Sequence, residues 1–262
     1  MSSLKISIIT ATWNCAHTLQ DCLTSVASQT YLNHEHIVID GVSTDGTVEI
    51  VQNNLDQVSI FKSEPDQGIY DALNKGINAA TGDVIGFLHA DDLYASSETL
   101  ETIAKGFEDP MVCAVYGDLE YVSQNDTSRV VRRWKSKPFV QGDLGLGWMP
   151  PHPTLYVRRE WYSKIGRFDN SYRIAADYLS ILQLFGDKTF KAIQVPQVLV
   201  RMRLGGVSNR SLKTIFRKSK EDWRALRECG FGVADAAKAL AWKNLSKLSQ
   251  FNQKGRQVTS RP

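Results

Sequence analysis

Over the first hundred residues the chain alternates short β-branched apolar runs with apolar residues spaced for one helix face. The run "KISIIT" (5–10) is followed by Leu19, Cys22, Leu23 and Val26 at i, i+3, i+4 and i+7, which predicts a strand and then a helix. "HIVID" (36–40) begins a second unit, and the turn "GVSTDGT" behind it is rich in residues that cap a helix, here at about 47–54. "VSIFK" (58–62), a helix around 69–80 with Ile69, Leu73, Ile77 and Ala80 on one face, and "VIGFL" (84–88) extend the series. This succession predicts an α/β protein with a Rossmann-like, mostly parallel sheet covered by helices.

Beyond Asp92 the pattern loosens. A helix is predicted at 97–107, a strand over "CAVYGDLEYV" (113–122), a helix at 172–186 and an extended segment over 192–203. Between them "QGDLGLGWMPPHPT" (141–154) carries three glycines and three prolines, the composition of a loop near a functional site or of a flexible connector. There is no internal repeat and no low-complexity segment.

With 262 residues, 42% of them hydrophobic, the chain can bury one good core and is short for two full domains. No apolar stretch is long enough to span a membrane, and "MSSLK" runs into the first strand without a signal-peptide pattern, so a cytoplasmic protein is expected. Cys15, Cys22, Cys113 and Cys229 lack metal-ligand spacing and fit reduced, structural thiols. Charge is uneven: residues 211–262 hold 12 Lys and Arg against 4 Asp and Glu, which leaves the rest of the chain net acidic.

Asp40 closes the second apolar run, and the adjacent Asp91 and Asp92 close the fourth. Ligands of open parallel sheets bind beyond the carboxyl ends of the strands, so these three carboxylates converge on the ligand edge. Neighbouring carboxylates repel unless a cation offsets them. Oxygen ligands suit Mg²⁺ or Mn²⁺, which takes one or two carboxylates together with substrate phosphates. An isolated "DD" would serve equally as a helix cap near Ser96 or a turn in solvent, so the surrounding motifs decide.

Those motifs, "SIITATWN", "VIDGVSTDGT" and "SEPDQGIYDALNKGINAATGDVIGFLHADD", resemble in this order the nucleotide-sugar half of family 2 glycosyltransferases. The resemblance implies the GT-A fold. It matches Thr10, Thr12, Trp13 and Asn14 to the end of the family's first strand, "STDGT" to its second turn and "ADD" to its DxD-type metal motif. "PPHPTLYV", "GRFD", "RIAADY" and "RLGGVS" are similar, more loosely, to the acceptor half of bacterial members that build surface polysaccharides. The implied organisation is a catalytic domain over 1–210, divided into a nucleotide-sugar half (1–95) and an acceptor half (96–210). Residues 211–262 follow as a basic amphipathic helical extension.

The same resemblance implies a metal-dependent, inverting transfer of one sugar from a UDP- or GDP-sugar to a saccharide or a polyprenyl-diphosphate-linked acceptor. Asp40 and the backbone near Ala11 and Thr12 would contact the nucleobase, with Trp13 stacking on it unless it is a core residue. Asp66 would act on the nucleotide side or only as an N-cap. Asp91 would face the ribose or the metal's water shell and Asp92 would ligate the ion. Lys75 would assist the phosphates or lie exposed on its helix, and His89 receives no role. Asp177 matches the catalytic base, with a helix cap as its plain alternative, although the acidic residue that usually precedes the base is Ala176 here. His152 would position acceptor or phosphate, or be structural, and Arg201 and Arg203 would approach the diphosphate or stay solvated.

Competing classes lack their signatures. A nucleotidyltransferase needs a Gly-rich loop followed by Arg and Pro, a dinucleotide enzyme needs GxGxxG, and neither follows the first strand. No nucleic-acid motif appears, and the Q-x-x-R-W pattern of processive synthases is absent. A silent nucleotide-sugar-binding subunit remains the alternative from another class. In the basic segment Leu212, Ile215, Phe216, Trp223 and Leu226 share a helix face among Lys213, Arg217, Lys218, Lys220, Arg224 and Arg227. This amphipathic helix suits either the inner, anionic face of a membrane or packing on the domain or a second subunit.

Overall fold

Ile6 and Ile8 on one face of the first strand and Ile9 on the other are all fully buried, so the leading runs carry few polar alternations because the sheet is covered on both sides. The computed structural model describes residues 4–205 and 212–251. Its elements are β1 (Ile6–Thr12), α1 (Ala16–Ala27), β2 (His34–Asp40), α2 (Thr47–Gln52), β3 (Ile60–Ser63), α3 (Ile69–Ala79), β4 (Val84–Phe87), β5 (Asp92–Tyr94), α4 (Thr99–Gly106), β6 (Ala114–Val122), β7 (Val130–Trp134), β8 (Tyr156–Arg158), α5 (Arg159–Ile165), α6 (Ala176–Gly186), β9 (Ala192–Arg203), α7 (Leu212–Glu228) and α8 (Val233–Phe251).

The strands form one sheet in the order β3-β2-β1-β4-β8-β6-β9-β5, with β7 paired to β6. Through β3-β2-β1-β4 all pairings are parallel, as the alternating pattern predicts. Beyond β4 the pairing turns mixed, while most residue pairings of the sheet as a whole remain parallel. β8 joins β4 and β6 antiparallel, β7 joins β6 antiparallel, and β5 joins β9 antiparallel, leaving β6–β9 as the parallel pair.

One face of the sheet packs Ile9, Ile37, Ile39, Ile85 and Phe87 against helices α3, α5 and α6. The opposite face packs Ile6, Ile8, Val84 and Leu88 against α1 and α4. Helix α3 lies so close that a Cβ on Gly76 would collide with Ile9, which requires glycine there.

The described part of the basic segment packs on the rest of the chain. Ala225 and Leu226 of α7 and Ala236 and Ala239 of α8 are fully buried in the same core as α6. A buried ion pair, Lys243 Nζ to Asp222 at 3.0 Å, ties α8 to α7, and the Lys243 ammonium sits 3.1 Å from the centre of the Tyr178 ring on α6. The shared face read from the sequence is split: Leu226 is buried, whereas Ile215 and Phe216 are exposed. The side chains of Leu212 and Lys213, and the part of "RLGGVS" from residue 206 to 208, lie outside what the structure describes. Among the described residues no helix is long and apolar enough to cross a membrane.

Candidate active site

Parallel register brings the ends of the first three strands to one edge, with Thr12 opposite Asp40 and Asp40 opposite Ser63. Asp40 is fully buried there and accepts four hydrogen bonds: from Thr12 Oγ1 (2.9 Å), Ser43 N (3.0 Å), Ser43 Oγ (2.5 Å) and Ser63 Oγ (2.7 Å). Burial pushes its carboxyl up, but the Ser43, Ser63 and Thr12 donors outweigh that and hold it below its ordinary value. These four bonds make Asp40 the group that shapes the edge at the end of β2. Thr10 and Thr12 are buried as well, Thr10 against His36 at 2.9 Å, so neither hydroxyl faces a ligand.

Trp13 is exposed at this edge, 69% accessible, which removes the core alternative for it. Ala11 is half-buried beside it. Asn14, at φ 48°, accepts the Thr44 amide at 2.8 Å and gives its own amide to Ser43 Oγ at 2.8 Å, so it staples two loops rather than presenting its carbonyl to a substrate. Val42 is held at φ 63°, a left-handed conformation unusual for a β-branched residue. Asp66 turns the chain into α3 by accepting the Gly68 amide at 2.8 Å, and it packs so closely over Gly41 that a Cβ there would strike its carboxylate. Lys75 is bound to the Pro65 carbonyl (2.6 Å), Glu64 (3.1 Å) and Asp71 (3.4 Å).

At the end of β4 the two adjacent carboxylates separate in environment. Asp92 begins β5, is fully buried, and accepts the Arg203 amide at 3.2 Å; its other oxygen has no partner. Burial and the neighbouring Asp91 charge push its carboxyl well up, against the opposing pull of Arg203. Asp91 is partly exposed. Of the two carboxylates Asp91 is the more exposed, and the free oxygen of Asp92 lies buried next to it. Arg203 is buried and clamps the turn, donating to the Asp91 carbonyl at 3.1 Å and pairing with Asp21. Arg201 pairs with Glu120 at 3.4 Å, a carboxylate shared with Arg133. Arg203 is thus committed to the turn, whereas the Arg201 side chain is partly exposed beside Glu120.

Across the same end of the sheet, Asp177 lies in the first turn of α6, part-exposed, and accepts the Tyr70 hydroxyl at 3.3 Å. Its cap alternative does not hold, because the N-cap is Ala175 and no side chain caps the helix. His152 stands near Asp177, stacked on Phe87 with ring centres 5.6 Å apart and 6.4 Å from His89. The loop 141–154 is folded into two short 3-10 turns, Gln141–Leu146 and His152–Thr154.

One contributor escaped sequence reasoning. Glu221 of α7 accepts the backbone amides of Arg173 (3.2 Å), Ile174 (2.8 Å) and Ala175 (3.0 Å), the residues that lead into α6. Its place in a basic amphipathic stretch gave no sign of that role.

An ion at this site fits the residues present if it is shared with a ligand. Among the described residues no three His, Cys, Asp or Glu side chains cluster to hold a metal by themselves. A single open carboxylate with substrate phosphates is nonetheless a common donor set for Mg²⁺.

Residues 7–175 match the family described as glycosyl transferase family 2. A PGL/p-HBAD biosynthesis glycosyltransferase of Mycobacterium tuberculosis is 33% identical over 224 residues, covering 83% of this chain and 84% of that protein. An uncharacterized glycosyltransferase of the same species is 31% identical over 70% of this chain and 69% of its own length. In fold, S. aureus TarS 1-349 in complex with UDP-GlcNAc matches with a TM-score of 0.68 at 16% identity, over 98% of this chain and 76% of that one; this chain spans 46% of the longer TarS structure. The mannosyltransferase PcManGT of Pyrobaculum calidifontis, in complex with GDP-Man and Mn²⁺, matches with a TM-score of 0.65 at 19% identity, over 98% of this chain and 77% of its own. The strand-edge geometry, the GT-A likeness and the family match agree: the chain belongs to glycosyl transferase family 2 and is a glycosyltransferase.

Proposed function

We propose that the enzyme transfers one sugar, with inversion, from a UDP- or GDP-sugar to a saccharide or lipid-diphosphate-linked acceptor in surface polysaccharide synthesis. The observation that carries this reading is the placement of the half-exposed Asp177, bonded to Tyr70, on the same side as His152 and the His89–Asp92 turn. In GT-A neighbours the donor is a nucleotide-sugar, UDP-GlcNAc in one complex and GDP-Man with Mn²⁺ in another, which supports both the donor class and a divalent ion.

Trp13 stacks on the base, above an edge kept in shape by Asp40 and Asn14. Asp91 would hold the ion beside the donor's diphosphate, and Asp92 fixes the turn from beneath. When bound, the ion supplies Lewis-acid neutralisation of the departing diphosphate. Asp177 takes the acceptor hydroxyl's proton as that oxygen attacks the anomeric carbon from the face opposite the diphosphate. The exposed Ile215 and Phe216 beside Arg217 and Lys220 support a peripheral contact with an anionic membrane, where a lipid-linked acceptor resides.

A panel of UDP- and GDP-sugars assayed with Mn²⁺ tests the reading, comparing wild type with Asp177→Asn. Turnover should fall by about 10³-fold or more while donor binding persists. A variant as active as wild type would remove Asp177 as base, and binding without turnover in the wild type would favour the non-catalytic subunit.

A further inference from the structure

His152 is held by a fixed backbone. Thr154 Oγ1 lies 2.8 Å from the Pro151 carbonyl and 3.0 Å from that of Gly117, and it accepts the Gly117 amide at 3.3 Å, which ties the His152–Thr154 turn to β6. The ring is only 8% exposed, between Phe87 and the edge of Phe168, whose centre is 6.0 Å away. Neither of its nitrogens has a hydrogen-bond partner. His36, the other deeply buried histidine, does use one nitrogen, toward Thr10 at 2.9 Å. A buried, preorganised polar group with both valences open is costly to the fold, and a ligand that reached it would satisfy it.

Its neighbours indicate which part of a ligand. Asp177 is close enough for its charge to act on the ring, and His89, of the turn that carries Asp91, has its ring centre 6.4 Å away. With inversion, the attacking oxygen and the departing diphosphate stand on opposite faces of the anomeric carbon, so with the roles proposed above the sugar in transit lies between Asp177 and Asp91. Aromatic surroundings disfavour an imidazolium, which makes a phosphate a poor match. A neutral ring instead offers one N–H donor and one lone pair, the complement of a hydroxyl group.

We propose that His152 reads a hydroxyl of the transferred sugar and so selects the donor sugar the enzyme accepts. The inference rests on the nucleotide-sugar reading above. It names a specificity residue for that site and not a proton carrier.

The test is calorimetric titration of the full chain with UDP, UDP-glucose, UDP-galactose, UDP-GlcNAc, GDP and GDP-mannose in Mn²⁺, for wild type, His152→Phe and His152→Gln. Wild type should prefer one sugar of the panel. His152→Phe should lose that preference by about tenfold or more while its affinity for the bare nucleotide is unchanged. His152→Gln, which keeps a donor and an acceptor, should recover part of it. The melting temperature of His152→Phe should equal or exceed that of wild type, because an unsatisfied buried group is gone. A wild-type sugar preference retained in both variants, or a change confined to the acceptor KM, overturns the inference. A wild type that binds none of these nucleotides defeats the nucleotide-sugar reading itself, and the role of His152 with it.

Discussion

The Glu221 carboxylate accepts the Ala175 amide at 3.0 Å, two residues ahead of Asp177, and the same oxygen takes the Ile174 amide at 2.8 Å. A side chain from α7 thereby fixes the entry to α6, and misplacement of a reacting group by about 1 Å can cost 10²-fold in rate. Glu221→Ala is expected to lower kcat about 10- to 100-fold with the donor KM nearly unchanged. Glu221→Gln, which retains one acceptor oxygen, should restore part of the rate. Steady-state kinetics resolve the two parameters, and a loss confined to KM would show that Glu221 does not act through Asp177.

The two adjacent carboxylates should answer differently to amide substitution. Asp92 is enclosed and uses one oxygen to accept the Arg203 amide, a bond that asparagine can keep, whereas Asp91 faces outward. Asp92→Asn should retain Mn²⁺-dependent UDP affinity within about threefold, and Asp91→Asn should lose about tenfold or more. Titration with and without EDTA checks this, and the reverse order of effects would return the ion to Asp92.

Asp40→Asn replaces an acceptor of four hydrogen bonds with a group that must also donate. Urea unfolding should show a loss of about 2–3 kcal/mol, since hydrogen bonds to a buried charge are expensive to break. Nucleotide affinity should fall too, because the loop carrying Ser43 and Thr44 loses its anchor.

Val42 at φ 63° stores backbone strain on the exposed rim of this edge. Val42→Gly should relieve it at little loss of burial. The left-handed penalty outweighs the added entropy of glycine in the unfolded chain, giving a net gain of about 0.5–1 kcal/mol. Equilibrium denaturation of the two proteins decides the sign.

At the far end of the sheet Glu35 meets Lys5 at 2.7 Å, Ser7 Oγ at 2.6 Å and the Thr81 amide at 2.7 Å. Burial raises its carboxyl, but Lys5, Ser7 and Thr81 together bring it from 4.5 to about 2. Between those two values the unfolded chain binds more protons, so this contribution is complete above about pH 4.5 and is lost as pH falls through about 2. Glu35→Gln should cost about 2–3 kcal/mol at neutral pH and flatten the acid limb of stability against pH. An acid limb as steep as that of the wild type would refute the assignment.

The first half of the fold was legible because each unit carries its own periodicity: every strand from Ile6 to Phe87 and each intervening helix lies within a few residues of its predicted span. β5, β7, β8 and α5 had no counterpart in that pattern. Strands of three residues such as Asp92–Tyr94 and Tyr156–Arg158 are too short to show a period, and β7 is largely exposed at an edge. Among site residues, Trp13, Asp91 and Asp177 remain open to ligands, whereas Thr10, Thr12, Asn14, Asp40, Lys75, Asp92 and Arg203 serve the framework. A motif marks which residues belong near a site. It does not say which way their side chains turn.

The sequence by itself determined the parallel half of the sheet, the carboxyl edge where ligands gather and the family, because apolar period and turn chemistry act over a few residues at a time. Tertiary structure alone decided that Asp91 rather than Asp92 is open, that His152 is buried without a partner, and that α7 braces the start of α6 through Glu221. Burial and hydrogen-bond partnership depend on contacts between residues far apart in the chain, such as Asp92 with Arg203 and Ala175 with Glu221, which no local pattern encodes.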